Sequence, residues 1–297
     1  MKRILFIPGK NLKPPPAAHR EQLLRCLLHG IRRIDPEVAD EIDTRDAFSL
    51  VPWNYLYYRQ HRDIDRDIPW VDQLLSHEQV QAEDIRHARP FSYWVARFLY
   101  QMGDTLPWLI PLIPDNRIKS SIRETERYFQ NADNISCQIR DLQKVPLREA
   151  AQQGDRVLLI GHSMGSVIAF DALWELHHLE GITCCVDCFL TIGSPLGLRF
   201  VQHRLLCNGK QHPQRFPGNI RNWVNISARG DLVALDPKLQ NDYGEMVTRH
   251  YVENIDDKHD GIYNYYRDDK GLNVHRSYGY LVNPVVDQVI VNWWRGA

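Results

Sequence analysis

The sequence predicts an α/β protein in which a mostly parallel sheet is flanked by helices. Short apolar runs bounded by turn residues recur along the chain, and helical segments separate most of them. This alternation is typical of a parallel sheet covered on both faces. At 297 residues the chain is long enough to bury a full core, and it contains no internal repeat or long linker. We therefore expect a single domain over residues 1–297.

The first elements are a strand at 3–7, a helix at about 17–33 and a short strand at 47–51. The first strand ends at Pro8-Gly9, and three consecutive prolines form a stiff loop before the helix. Four later apolar runs predict the remaining strands, at about 156–160, 186–192, 221–227 and 248–254.

Two helical segments complete the pattern. A helical stretch over 120–152, with Pro146 as a candidate interruption, leads into the strand at 156–160. An amphipathic helix over 284–294 closes the chain.

Residues 54–120 differ in composition from the rest of the chain. They are rich in Trp, Tyr, Pro and Arg and contain no clear strand, which predicts a helical insertion that caps the sheet. Four apolar side chains fall on one helical face, and an apolar, proline-broken loop follows at 106–113; the four are Trp94, Phe98, Leu99 and Met102. The segment is either ordinary packing or a lid that lines an acyl-binding pocket or touches a lipid surface.

Charge and hydropathy exclude several classes of partner. Formal net charge is −1, with 36 Lys and Arg against 37 Asp and Glu, so no net field favours nucleic acid or an anionic membrane. The apolar run before Pro8 is too short for a signal peptide, and the most apolar window, 91–113, contains charges and prolines. We expect a cytoplasmic protein.

Six cysteines include one C-x-x-C pair, Cys185 and Cys188. The pair lies in or beside the predicted strand at 186–192, and no second pair or H-x-x-x-H sequence is close to it. Buried reduced thiols are therefore favoured over a zinc or redox site, which fits a reducing cytoplasm.

The motif Gly161-His162-Ser163-Met164-Gly165 lies between a predicted strand and a predicted helix. A random chain of this composition would contain G-x-S-x-G about 0.04 times, so chance is a poor explanation. A sharp strand-to-helix turn exposes the serine hydroxyl, and side chains at Gly161 and Gly165 would collide with the opposite limb of the turn. The pattern predicts a nucleophilic serine at Ser163.

A serine nucleophile needs a base, and the base needs an acid that orients it. Each should follow a strand, in the chain order Ser, acid, His. Asp231 follows the strand at 221–227 closely and is the favoured acid. Asp236, which precedes Pro237, is the alternative, although an Asp-Pro pair more often makes a turn.

Two histidines after the last predicted strand are candidate bases. His275 lies on a long loop shortly before the terminal helix and is favoured, with His259 in an acidic loop as the alternative. His162 is expected to point away from the site. The oxyanion hole would use the backbone N–H of Met164 and that of Lys10 in the loop after the first strand.

Residues 154–281 resemble the α/β-hydrolase superfamily, and within it lipase and DDHD-type phospholipase sequences. The resemblance rests on the motif at 161–165, on Ile192-Gly-Ser-Pro, on the segment 230–237 and on His275-Arg-Ser-Tyr. It implies an α/β-hydrolase fold with a helical cap. Pro8-Gly9 stands where the family commonly has His-Gly, and a leucine, instead of the commoner proline, follows Asp231.

These observations predict a serine hydrolase that cleaves carboxylic esters, with lipid-like esters as one candidate class, through an acyl-serine intermediate and without a metal or organic cofactor. The expected partner is a small-molecule or lipid ester, with peripheral membrane contact through the cap as a further expectation. A thioesterase or amidase would use the same triad. A non-catalytic binding protein that kept the fold is the alternative from a different class.

Overall fold

The computed structural model describes residues 1–77, 81–88, 125–184 and 186–296. Its centre is a six-stranded sheet in which every pair of neighbouring strands is parallel, in the order β2-β1-β3-β4-β5-β6. The strands are β1 Lys2–Ile7, β2 Phe48–Leu50, β3 Arg156–His162, β4 Val186–Ile192, β5 Ile220–Ile226 and β6 Asn254–Lys258. A separate antiparallel pair joins β7 Arg267–Asp268 to β8 Gly271–Leu272.

Helices flank the sheet and connect its strands. Those whose bounds lie within the described residues are α1 Pro16–Arg32, α2 Pro36–Thr44, α3 Asn54–Tyr58, α4 Ile68–Ser76, α5 Ala82–His87, α6 Ile135–Gln153, α7 Met164–His178, α8 Arg199–Gln202, α9 Leu239–Thr248, α10 Ser277–Tyr280 and α11 Pro284–Arg295. The same described ranges contain two short 3₁₀ turns, at Ile64–Arg66 and Ala132–Asn134.

The two faces of the sheet carry separate apolar cores. On β1, Leu5 and Ile7 pack into one core with α6 and α7, whereas Ile4 and Phe6 pack into the other with α1 and α11. This division follows from the strand geometry, since successive side chains point to opposite faces. Burial on both faces explains why these strands read as continuous apolar runs.

The strand order creates a crevice beside β1. The chain runs from β1 to β2 on one side and later returns to β3 on the other, so the connections leave the carboxyl ends of β1 and β3 in opposite directions. Ile7 pairs with Gly161, so both strands end at nearly the same level. Open α/β sheets bind their ligands in a crevice at such a point.

Most predicted elements are confirmed to within two residues, including the strands at 3–7, 47–51, 186–192 and 221–227 and the terminal helix. The predicted strand at 248–254 is wrong. Leu239, Tyr243 and Met246 are buried at helical spacing in α9, so the apolar residues near 248 belong to the end of a helix, and the strand begins only at residue 254.

Pro146 does not interrupt its helix, because α6 continues from Ile135 to Gln153. An internal proline costs about 3 kcal/mol, but Ile139, Leu147 and Ala150 are fully buried on this helix, and their packing outweighs that cost. The break falls earlier, where Asn131, Asp133 and Asn134 adopt positive φ. Asparagine and aspartate tolerate this conformation better than most residues.

The described part of the 54–120 segment contains only helices and turns, namely α3, α4, α5 and one 3₁₀ turn. The apolar face of Trp94, Phe98, Leu99 and Met102 and the loop at 106–113 lie outside the described residues. Among the residues described, no helix combines the length and apolar character needed to cross a bilayer.

Gly165 lies in the first turn of α7, where it touches the end of β1. A Cβ placed on it would lie 2.2 Å from the Ile7 carbonyl oxygen, so we expect Gly165→Ala to lower the free energy of unfolding by about 3 kcal/mol. Gly244→Ala is a matched control inside α9, where an added Cβ meets nothing within 4 Å, and it should stabilise by about 0.5–1 kcal/mol. Urea unfolding measures both, and an unchanged midpoint for Gly165→Ala would contradict this packing.

Candidate active site

Ser163 occupies the turn between β3 and α7 with a strained backbone, at φ 54° and ψ −128°. A serine rarely adopts positive φ, so the surrounding packing must hold the turn in place. A Cβ on Gly161 would lie 2.6 Å from the Ser166 Cα, which is the expected collision with the opposite limb. At Gly165 the expectation was wrong, because the obstacle there is the end of β1.

The structure brings Ser163, His275 and Asp231 into one hydrogen-bonded chain. His275 Nε2 lies 2.8 Å from the Ser163 Oγ, and His275 Nδ1 lies 2.8 Å from the Asp231 Oδ2. An ionised carboxylate can only accept, so Nδ1 carries the proton and donates a hydrogen bond to Asp231. In the neutral imidazole Nε2 is then the acceptor, and the Ser163 hydroxyl donates to it.

Asp231 is a buried carboxylate held in its ionised form. Burial alone would raise its pKa, but the neighbouring His275, a hydrogen bond from Tyr280 and one from the Val233 N–H outweigh burial and leave the pKa below its usual value. The Tyr280 hydroxyl lies 2.7 Å from Oδ2 and the Val233 nitrogen 2.9 Å from Oδ1. The carboxylate therefore stays charged and points one oxygen at His275.

Tyr280 and Gly193 support Asp231, and sequence reasoning missed both roles. The Tyr280 hydroxyl accepts from the Ala228 N–H at 2.9 Å, which leaves its proton directed at Asp231. Gly193 has φ 56°, and a Cβ on it would lie 2.8 Å from the Asp231 Oδ2. Gly193 follows a predicted strand, which was a usable signal, but nothing in the sequence marked Tyr280.

His162 does not point away from the site, contrary to expectation. Its ring centroid lies 4.8 Å from that of His275, and Nε2 donates to the His275 carbonyl oxygen at 2.8 Å. Burial, followed by the charges of His275 and Lys13, holds the pKa of His162 well below its usual range. A neutral His162 therefore supports the backbone of the loop that carries His275.

The loop after β1 lies directly over Ser163. A Cβ on Gly9 would be 2.8 Å from the Ser163 Cβ, so only glycine allows this approach. Met164 is the first residue of α7, and N–H groups in a first helical turn have no partner within the helix. Of the predicted oxyanion residues, Met164 directly follows Ser163, and Lys10 directly follows the glycine that approaches Ser163.

Three side chains from residues 53–58 hold that loop. Trp53 Nε1 donates to the Pro8 carbonyl at 2.7 Å. Asn54 Nδ2 donates to the carbonyls of Gly9 and Asn11 at 2.9 and 3.1 Å, and the Tyr58 hydroxyl accepts from the Asn11 N–H at 2.9 Å. Residues 8–11 are therefore fixed by donors and acceptors that lie far away in sequence.

The alternative site residues have other contacts. Asp236 is exposed, and its Oδ1 accepts from the Lys238 N–H, which closes the turn at Pro237. His259 lies 3.9 Å from the exposed Asp260. Neither has a contact with Ser163 or His275 among those of the described residues. The hydrogen bonds of Ser163 and His275 therefore involve Asp231 and His275, the residues favoured by chain order and strand position, and not Asp236 or His259.

Cys188 of the C-x-x-C pair and Ser194 lie outside the hydrogen-bonded chain of Ser163, His275 and Asp231. Cys188 is buried as a free thiol, and burial raises its pKa to about 12, while Cys185 lies outside the described residues. Within the described ranges, no three His, Cys, Asp or Glu side chains cluster in a way that could hold a metal ion. The Ser194 hydroxyl lies 2.7 Å from the Ser166 hydroxyl, which in turn donates to the Ser163 carbonyl oxygen at 2.6 Å. Ser194 therefore stabilises the turn at Ser163.

Comparison with known proteins returned no match to a family model, a curated protein or a solved structure. The fold class is nonetheless clear from the coordinates: an α/β architecture with a six-stranded, all-parallel sheet between helices. The feature that bears on function is the hydrogen-bonded chain of Ser163, His275 and Asp231 at the carboxyl ends of the strands.

We expect Tyr280→Phe to change the pH dependence of stability. Because the pKa of folded Asp231 is depressed, this carboxylate stabilises the fold above about pH 4, and that contribution is lost as the pH falls through its folded pKa. Removing the Tyr280 hydroxyl should raise that pKa, so the loss should begin at higher pH. At pH 7 the variant should lose about 1–3 kcal/mol.

Urea unfolding between pH 3 and pH 7, in wild-type and Asp231→Asn backgrounds, measures this effect. Comparing Tyr280→Phe with its parent within each background cancels the titration of the other carboxylates. In the Asp231→Asn background position 231 does not titrate, so the effect of Tyr280→Phe should not vary with pH there. The same pH dependence in both backgrounds would show that Tyr280 does not stabilise the Asp231 carboxylate.

Proposed function

We propose that the chain is a serine hydrolase of the α/β-hydrolase type that cleaves carboxylic esters through an acyl-serine intermediate. The observation that carries this proposal is the hydrogen-bonded chain from Ser163 through His275 to Asp231. A serine so connected is an activated nucleophile rather than an ordinary hydroxyl.

The placement of the three residues on the fold supports the proposal. Ser163 follows β3 in a strained turn, Asp231 follows β5, and His275 lies in the loop before the last two helices. This is the chain order Ser, Asp, His that α/β-hydrolases use. Lipase and DDHD-type phospholipase sequences, which 154–281 resemble, share that order.

In the proposed first step, the Ser163 oxygen attacks the acyl carbon while its proton passes to His275 Nε2. A bond forms between Oγ and carbon, and the carbonyl oxygen becomes an oxyanion. His275 then gives the proton to the leaving alcohol as the carbon–oxygen ester bond breaks. Asp231 stabilises the transient imidazolium and keeps Nδ1 protonated throughout.

The oxyanion would accept from the N–H groups of Met164 and Lys10. The dipole of α7 also favours negative charge at its first residue, Met164. For Lys10, the direction of the N–H follows from the geometry of the peptide bond between Gly9 and Lys10. The Gly9 carbonyl and the Lys10 N–H belong to one trans peptide and point in opposite directions. Asn54 holds that carbonyl, so it also sets the direction of the Lys10 N–H.

Water completes the cycle in the second half of the proposed reaction. His275 takes a proton from a water molecule, whose oxygen attacks the acyl carbon of the acyl-serine. The Ser163 oxygen leaves with the proton from His275, and the carboxylic acid is released. Because thioesters and amides pass through the same intermediates, the triad alone leaves the acyl donor open to those classes. We place this activity in the cytoplasm, in keeping with the free thiols of the described cysteines.

A fluorophosphonate probe tests the nucleophile directly. We expect labelling of Ser163, located by mass spectrometry, and no labelling at that peptide in Ser163→Ala. In His275→Ala the rate of labelling should fall by about 10⁴-fold or more, because the serine loses its base. Asp231→Asn should lower ester hydrolysis by about 10⁴-fold through loss of the correct tautomer.

His259→Ala and Asp236→Asn are the matched controls, since they change the alternative base and acid. Both should keep activity within about twofold of wild type, as exposed or partly exposed loop substitutions usually do. Folded wild-type protein that neither reacts with the probe nor hydrolyses short esters would favour a non-catalytic binding protein over this proposal.

Asn54→Asp tests the proposed control of the oxyanion loop. The substitution keeps the size of the side chain but removes the two donors to the Gly9 and Asn11 carbonyls. We expect kcat to fall by about 10²-fold with little change in KM, because a misdirected N–H is felt mainly in the transition state.

Asn208→Asp is the control for Asn54→Asp, since Asn208 Nδ2 also donates to a backbone carbonyl, that of His203, on an exposed turn. It should leave kcat unchanged. Circular dichroism measures the fraction of Asn54→Asp protein that is unfolded. A fall in kcat no larger than this unfolded fraction explains would argue against a role of Asn54 in the oxyanion hole.

A further inference from the structure

A second recess adjoins the triad. It has a volume of about 840 Å³ and lies between the loop after β1, residues 58–70 and the β7–β8 hairpin. Asn11 and Arg276 both line it. Asn11 belongs to the loop that covers Ser163, and Arg276 directly follows His275. The recess therefore shares two of its walls with the proposed active site, and its volume suits a small organic ligand.

The floor of the recess contains a carboxylate shared by two arginines. Asp67 is buried and accepts from Arg62, from Arg276 and from the Tyr278 hydroxyl. Arg276 Nη2 donates to both oxygens of this carboxylate, to Oδ1 at 2.8 Å and to Oδ2 at 2.9 Å. One negative charge therefore serves two positive charges.

Lys13 adds a third cation beside this group. Its side chain is only 9% exposed, and no hydrogen bond or ion pair of its ammonium group occurs among the described residues. Burial, followed by the charges of Arg276 and Arg62, holds the pKa of Lys13 well below its usual value. A buried lysine next to two arginines is costly unless a further negative charge approaches it.

Arg276 has a donor left over for such a charge. Its Nε is buried and has no hydrogen-bond partner within the described part of the chain. Buried polar groups are nearly always paired, so an orphaned guanidinium donor calls for an acceptor. The rings of Tyr266 and Tyr278 lie 5.6 and 5.3 Å from the guanidinium carbon and restrict its orientation.

Charges at the rim of the recess balance one another. Arg66 and Lys270 are exposed, and so are Asp65 and Asp269. Asp268 is used within the hairpin, where it accepts from the Lys270 N–H and from Asn273. Arg62 and Arg276 thus line the floor and Lys13 is buried beside them, while the carboxylates that act on them are Asp67 and, for Arg276, also Asp268.

We propose that this recess binds a carboxylate or phosphate group carried by the substrate, so that the preferred esters bear a second, anionic group. The inference rests on the proposed hydrolase function for the reaction itself. Arginine side chains recognise both oxyanions through paired N–H donors, and the aromatic wall of Tyr58, Trp70 and Tyr266 would pack against the apolar part of the same molecule.

Paired substrates test the proposal. In one pair the charge is on the acyl side: p-nitrophenyl hydrogen glutarate against its uncharged methyl ester. In the other it is on the alcohol side: 4-acetoxybenzoate against its methyl ester. We expect kcat/KM to favour the charged member of at least one pair by about tenfold or more, and the ratio to fall towards one in Arg62→Gln and in Lys13→Met.

Arg221→Gln is the control for loss of a positive charge, because Arg221 is exposed and its one ion pair with a described residue is to the exposed Glu253. Its ratio of charged to neutral ester should equal that of wild type. Equal or lower kcat/KM for the charged esters of both pairs in wild type would overturn the proposal. So would a preference that survives in both Arg62→Gln and Lys13→Met.

Calorimetric titration of the Ser163→Ala protein with glutarate and with inorganic phosphate identifies the anion, since the better ligand should lose affinity in Arg62→Gln. The uncharged fluorophosphonate probe separates the two proposals. If the probe labels Ser163 but the enzyme shows no preference for charged esters, the anion site would be refuted and the hydrolase function supported. If the protein binds an anion in a manner that depends on Arg62 but is not labelled by the probe, the anion site would be supported and the hydrolase function refuted.

Discussion

The close contact between the end of β1 and the first turn of α7 is the constraint on which the site depends. Gly9 touches Ser163, and Gly165 touches the Ile7 carbonyl, so neither can carry a side chain. The parallel pairing of Ile7 with Gly161 brings both loops to one level. Ser163, at the end of one strand, and the loop after its neighbour meet only because these two glycines allow the backbones to approach.

Two buried carboxylates hold one short segment of chain. Asp231 binds the side chains of His275 and Tyr280, whereas Asp67 binds those of Arg276 and Tyr278. Residues 275–280 are thus fixed from two directions by charged hydrogen bonds in a buried setting, where such bonds are strong. His275, the proposed base, therefore lies on a loop that is held by side-chain hydrogen bonds rather than by the pairing of strands.

The sequence predicted the fold class and the three residues that meet at the strand ends, because chain order and turn chemistry are local properties. Ser163 was marked by its two glycines, and Asp231 and His275 by their positions after the strands. Asn54, Asp67 and Tyr280 carried no such mark, since their roles arise from contacts across 45 to 211 residues of chain. The strand predicted at 248–254 failed because a short apolar run suits a helix end equally well.

The adjacency of His275 and Arg276 has a geometric meaning for molecules that reach both. Neighbouring Cα atoms are separated by about 3.8 Å, and the two side chains diverge to different carboxylates, Asp231 and Asp67. A molecule that touches both side chains must span a fixed distance between its two functional groups. Under the proposed function, residues 275 and 276 would select a substrate by the distance between its two functional groups as well as by its charge.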